Sequence, residues 1–287
     1  NEPGVLVGGA HGAAYLLART ENINYERRIE EDFFMAGLEW VESRGADVAS
    51  ISLGYKDWYT FADFNDYNSP ISTHLTVAAQ LGMLVCVANG NEGLEGIGAP
   101  ADAELVLAVG AVGDDDRRTF FSSVGPSADG RLKPDVSALG ANMVLANGRA
   151  PYALRVGSGT SYSAPLTAAA AALVMERHPH WTAMMVREAF MATASISDAP
   201  NTDLGYGIMH VMRAIKYEPR TRCRRTRRAH DAVVASATAA GATAAPDHHH
   251  ARDRYRGGGD GDDGGGAVKR GDYFDTDYFD GDGDGNV

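Results

Sequence analysis

The chain has 287 residues, enough for one full hydrophobic core, and carries 38 acidic against 26 basic residues for a net charge of −12. That excess of acid argues against an ordinary nucleic-acid binder, and no apolar run is long enough to span a membrane. Two cysteines in unlike settings, Cys86 in an apolar run and Cys223 among arginines, build no disulfide framework.

In chain order, residues 4–20 read as a glycine-broken loop followed by an apolar strand from Ala14 to Ala18. Phe33, Ala36, Gly37, Trp40 and Val41 recur at helical spacing, with Glu30, Glu31 and Asp32 in the first turn, so residues 29–44 form a helix that Gly45 ends. Val48 to Leu53 is a strand leading into Ser52-Leu53-Gly54, and the polar stretch 55–69 reads as a surface insertion. Pro70 opens a second helix that turns Leu75, Ala78 and Ala79 inward and closes at Gly82. Met83 to Ala88 is continuously apolar, which fits a strand covered on both faces within a parallel sheet. It runs directly into Asn89-Gly90-Asn91-Glu92-Gly93, where open α/β sheets place their sites. Leu105 to Val112 is another buried strand, and Thr182 caps a helix running through Met191.

Gly157 to Pro165 is the stretch around which the rest is organised. A glycine-rich turn delivers Ser161 to the start of a helix whose next residues, Ala168 to Met175, are apolar all round and therefore predict a buried helix. Pro165 is tolerable only near the start of such a helix. Free N–H groups and the positive dipole end at that position favour a developing anion, good placement for a nucleophilic serine.

Gly159-Thr160-Ser161 with Ala164-Pro165 resembles the nucleophile motif of the subtilisin-like serine proteases, the subtilases. Gly90-Asn91-Glu92-Gly93 resembles that family's oxyanion motif, and Phe121 to Pro126 and Lys133 to Val136 resemble two structural signatures in the family's order. The resemblance runs from about residue 4 to residue 216. It implies a three-layer α/β domain with a mostly parallel sheet, no cofactor apart from the calcium that some of the family use (for which no site is identifiable here), and a polypeptide substrate. It also implies Ser161 as nucleophile, Asn91 as oxyanion donor, and a cleft edge made by Ser52, Leu53 and Gly54 with Ala88, Asn89 and Gly90. Asn89 departs from the family, which usually has a small residue there. Nucleic-acid and membrane partners are not expected, the sequence is silent on oligomeric state, and only the resemblance points to an extracellular or secretory setting.

The family orders its triad Asp, His, Ser. No Asp-Thr-Gly, Asp-Ser-Gly or His-Gly-Thr occurs before Ser52, and His11-Gly12 lacks the residues that should follow a catalytic histidine. The expectation is therefore a partial catalytic domain, residues 1–217, whose Asp and His precede Asn1 in a longer protein, so that the chain by itself has little activity. A peptide-binding pseudo-protease is the alternative. An α/β-hydrolase esterase using Asp198 or Asp203 with His210 is a further one, but Ser163 stands where its nucleophile motif needs glycine. Residues 218–287 hold an arginine cluster, three successive histidines from His248 and an Asp/Gly tract. Their composition predicts a disordered tail, and Asp280 to Gly285 matches only the first half of an EF-hand loop.

Overall fold

Alternation along two central strands decides the architecture. In β2 (Leu84–Ala88) the side chains of Leu84, Cys86 and Ala88 join one core while Val85 and Val87 join another. In β3 (Leu107–Val112) Leu107 and Val109 go to the first and Ala108 to the second. A strand buried on both faces must carry apolar residues at every position, and both strands are buried throughout. The computed structural model describes residues 8–22, 24–147 and 153–219, all within the unit Asn1–Arg222.

The sheet has the order β1-β2-β3-β4, all parallel, with β1 at Val48–Ile51 and β4 at Val136–Leu139. Helices α1 (Ile29–Ser43) and α2 (Pro70–Leu81) supply Phe34, Leu38, Leu75 and Ala78 to one core. The other core takes Ala164 and Val174 from α3 (Thr160–Arg177), Val186 and Phe190 from α4 (Ala183–Thr193), and Ala214 from α5 (Val211–Ile215). This is the expected three-layer α/β arrangement. The hairpin of β5 (Met143–Ala146) and β6 (Leu154–Gly157), not foreseen from sequence, leads into α3.

Local chemistry explains the ends of α2 and the start of α4. Gly82 closes α2 in the left-handed region at φ 114°, Pro70 opens it, and Thr182 caps α4 by accepting from the Met185 N–H.

Three expectations need correction. Residues 14–18 form no strand: Tyr15, Leu16 and Leu17 are exposed and pair with no neighbouring strand, so apolar composition had no partner to make a ladder with. Residues 55–69 are more than a surface insertion, because Tyr55, Phe64, Asp66 and Ser69 are buried and the Tyr55 N–H bonds to Ala99 O at 2.8 Å. Helix α3 is not covered all round, since Pro165, Leu166 and Leu173 lie on an exposed face.

The Lys-Pro-Asp-Val segment is structural, as expected. The buried Lys133 Nζ donates to Ala103 O at 2.8 Å and to Asp135 Oδ2 at 2.9 Å, while Arg187 Nη2 meets Asp135 Oδ1 at 2.6 Å. Burial pushes the Asp135 carboxyl up, but Arg187 and Lys133 outweigh it and hold it below the usual carboxylate range. For Lys133 burial is the larger effect, and it lowers the ammonium below the usual lysine range despite Asp135. A carboxylate between two cations is thus the secure member of the group. The Cys86 thiol, buried in the core, is pushed up to about 12 by desolvation and is inert packing. Cys223 and the tail from Arg220 onward lie outside the described residues.

Candidate active site

Because β1 and β2 are parallel, their carboxyl ends open on the same edge of the sheet, with the 52–54 and 89–93 segments beyond them. The amino end of α3, entered from β6, is held at that edge by the end of β4. Ser163 Oγ, fully buried, donates to Ala138 O and Leu139 O at 3.2 and 3.3 Å, and the Gly159 N–H bonds to Gly140 O at 2.8 Å. Gly140 has to be glycine, since a Cβ there would sit 2.3 Å from Ser163 Oγ and 2.9 Å from Gly159 O.

Three of the predicted site residues come together. Asn91 Oδ1 accepts both the Thr160 N–H and the Thr160 hydroxyl, each at 2.9 Å. Those two donors hold the amide oxygen, so the Nδ2 hydrogens point elsewhere, and no acceptor among the described residues takes them. Ser161 is the second residue of α3, where its N–H has no acceptor inside the helix. Its hydroxyl donates to Ser52 O at 3.4 Å, while Ser52 Oγ donates to Ser161 O at 2.9 Å. The reciprocal pair ties the 52–54 segment to the turn that carries Ser161 across 109 residues of sequence.

The remaining predicted cleft residues divide by burial. Leu53 is half-buried and Gly54 exposed, a Cβ on Gly54 meeting Ala99 O at 3.1 Å. Ala88 and Asn89 are buried, and the Asn89 amide donates to Ser123 O at 2.7 Å, so its side chain is turned into the protein. Gly90 takes φ 105°, and a Cβ on it would lie 2.7 Å from Ser123 Oγ. An open cleft of about 630 Å³ adjoins Asn91, walled by Lys56, Glu92, Leu94, Phe120 and Phe121. Leu94 and Phe120, more than 80 % exposed, form its apolar rim, and Lys56 Nζ pairs with Glu92 at 3.2 Å beside it. A second cleft, of about 560 Å³, lies at the far end of α3 between Glu176 and Trp181 and holds no residue of the site.

Sequence reasoning missed Thr160 and Ser123, whose signals lay inside the motifs already matched. Thr160 precedes Ser161, and Ser123 lies within the run from Phe121 to Pro126.

No described histidine reaches Ser161. His11 sits in an exposed turn and His74 bonds to Pro70 O on the surface of α2. His178 stacks on Trp181 at 3.9 Å, His180 lines the cleft with it at the far end of α3, and His210 accepts from the Arg213 N–H at the start of α5. Asp203 pairs with Arg118 at 3.1 Å, and His210, which the esterase alternatives with Asp198 and with Asp203 both need, bonds to its own helix start and not to Ser161.

Carboxylates able to hold a cation converge in one place among the described residues, at Glu21, Glu26 and Glu30. Both oxygens of Glu30 already accept backbone N–H groups, from Asn22 and Arg27, and Glu21 accepts the Tyr55 and Thr20 hydroxyls. Burial raises the Glu21 carboxyl above its usual range, ahead of those hydrogen bonds. Calcium needs six to eight free oxygens, and this group does not offer them. No described helix is long and apolar enough to cross a membrane.

Residues 1–208 match the model of the Subtilase family. Subtilisin NAT of Bacillus subtilis subsp. natto is 36% identical over 163 residues, 55% of this chain and 38% of that protein. Subtilisin BL of Lederbergia lenta is 30% identical over 180 residues, 63% of this chain and 60% of that protein. The chain thus spans less than two thirds of the length of these relatives. Among solved structures, the self-cleaved protease domain of PatA superimposes with a TM-score of 0.63 at 24% identity, covering 75% of this chain and 78% of that one. MycP1 from Mycobacterium smegmatis gives 0.54 at 21% identity, over 68% and 58%. These two show a shared fold. With the family match extending over 208 consecutive residues, the chain belongs to the subtilase family.

Proposed function

We propose that this chain carries the nucleophile and oxyanion half of a serine endopeptidase site. Ser161 attacks the peptide carbonyl to form an acyl-enzyme, and Asn91 Nδ2 with the Ser161 N–H holds the oxyanion. The observation that carries this reading is the double grip of Thr160 on Asn91 Oδ1, which leaves the amide's donor end free beside the nucleophile. A neutral donor held in this way stabilises charge that appears only in the transition state, and it needs no reorganisation at that moment. Ser52 to Gly54 supplies a backbone edge along which an extended polypeptide would add as a strand.

The acid and base belong, in this reading, to sequence preceding residue 1 of a longer protein, and residues 1–287 alone hydrolyse peptides feebly. Two observations support it: Ser161 Oγ rests on a backbone carbonyl rather than on a base, and the matched relatives extend well beyond the aligned region. An extracellular setting follows only from the family. Labelling with a fluorophosphonate serine probe, beside Ser161→Ala, tests the proposal. Feeble labelling that vanishes in the variant is expected. Rapid labelling of Ser161 in a soluble monomer would mean that a base within these 287 residues serves it, and would overturn the divided site.

A further inference from the structure

We propose that Asn89 is a positioning residue for Asn91, acting through Ser123 on the turn that carries the oxyanion donor; this rests on the role assigned to Asn91 above. Asn89 follows β2 directly, and its N–H continues the sheet by bonding to Val109 O at 3.0 Å. Its side chain has no exposure, and Nδ2 donates to Ser123 O at 2.7 Å. Ser123, equally buried, returns three contacts to the same turn. Its N–H bonds to Gly90 O at 3.0 Å, and its hydroxyl accepts the Glu92 N–H and donates to Glu92 Oε2, both at 3.0 Å. The Gly93 N–H to Phe121 O and the Val124 N–H to Gly93 O, at 2.8 and 2.9 Å, close the ladder on the far side of Asn91. Asn91 is therefore the exposed apex of a turn whose neighbours on both sides are bonded to residues 121–124.

The other end of the Asn89 amide shows that its donor is what the position uses. Its Oδ1 is buried without any hydrogen-bond partner, an arrangement that costs free energy and that a small apolar residue would avoid. Rotating the amide would set that oxygen against Ser123 O, carbonyl to carbonyl, so the orientation is unique. Gly90 has no room to yield, because a Cβ there would lie 2.5 Å from Glu92 Oε2. Movement of Ser123 is thereby transmitted to Gly90 and Glu92 together, and so to the residue between them.

Amide hydrogen exchange and 15N-edited spectra of the full 287-residue chain test this without requiring any hydrolysis, so the outcome is separable from that of the proteolytic reading. In the unaltered chain the Glu92, Gly93 and Ser123 amides should be protected to the same degree as those of β2. Asn89→Ala, and Asn89→Asp, which keeps the size but loses the donor, should speed exchange at Glu92 and Gly93 by about tenfold or more and shift or split the Asn91 side-chain amide signals, with β2 unaffected. Exchange at open-turn rates in the unaltered chain would overturn the proposal, and so would variants whose Asn91 signals do not move. Acceleration spread equally over β2 would mean that Asn89 is ordinary packing. Should neither variant fold, the protection pattern of the unaltered chain decides.

Discussion

Thr160 holds Asn91 by the oxygen, with its N–H and its hydroxyl each 2.9 Å from Oδ1. An asparagine amide has two chemically opposite ends, and an oxyanion hole needs the nitrogen end presented. The residue next to Ser161 thus sets the polarity of a side chain that is 69 positions away in sequence.

In a form of the protein that contains the acid and base, Asn91→Ala is expected to lower kcat about a hundred- to a thousandfold with KM nearly unchanged, a magnitude that comes from subtilisin itself. Steady-state kinetics on a peptide substrate checks it. A raised KM with turnover intact would make Asn91 a ground-state contact.

Thr160→Val removes one of the two donors to Asn91 and keeps the other. One hydrogen bond of about 1 kcal/mol corresponds to roughly a fivefold loss in kcat. The same kinetics, run beside Asn91→Ala and the double variant, should show that the two losses do not add, because they act through one amide.

Asp135→Asn should destabilise the fold by about 3–5 kcal/mol at pH 7, leaving Lys133 and Arg187 buried or half-buried without their shared anion. The pH dependence follows from the lowered carboxyl of Asp135. Its stabilisation is complete above the unfolded value of about 4 and drains away as pH falls through the lower, folded value. Urea unfolding from pH 7 downward should therefore show a smaller acid-side loss in the variant than in the unaltered chain. Equal slopes would remove Asp135 from the account.

Gly205→Ala should prevent the domain from closing. Gly205 has φ 66°, and its Cβ would lie 2.3 Å from Pro134 O and 2.4 Å from Asp135 O. Both contacts are with backbone, so neither can be relieved by a side-chain rotation. Soluble expression and a thermal midpoint close to that of the unaltered chain would refute this.

Limited proteolysis should leave a stable core ending near residue 217. The composition after Glu218, rich in Arg, Asp and Gly and poor in apolar residues, offers little surface to bury. A protected fragment reaching beyond residue 250 would show that the tail packs.

The sequence by itself determined the parts whose chemistry is local. Unbroken apolar runs at 84–88 and 107–112 specify strands covered on both faces, Pro70 and Gly82 bound a helix, and the contiguous motifs around Asn91 and Ser161 name the family. Tertiary structure alone decided the rest, because it depends on contacts between distant segments. Residues 14–18 look like a strand, but a strand exists only with a partner to bond to, and none lies beside them. Tyr55 looks like a surface residue within a polar stretch, yet its bonds to Ala99 and Glu21 draw it into the core. Asn89 reads as cleft lining by its place in the motif, but a carbonyl 34 residues on turns its side chain inward. Hydrophobic pattern is written residue by residue. The direction in which a polar side chain points is set by whichever donor or acceptor the fold brings to meet it.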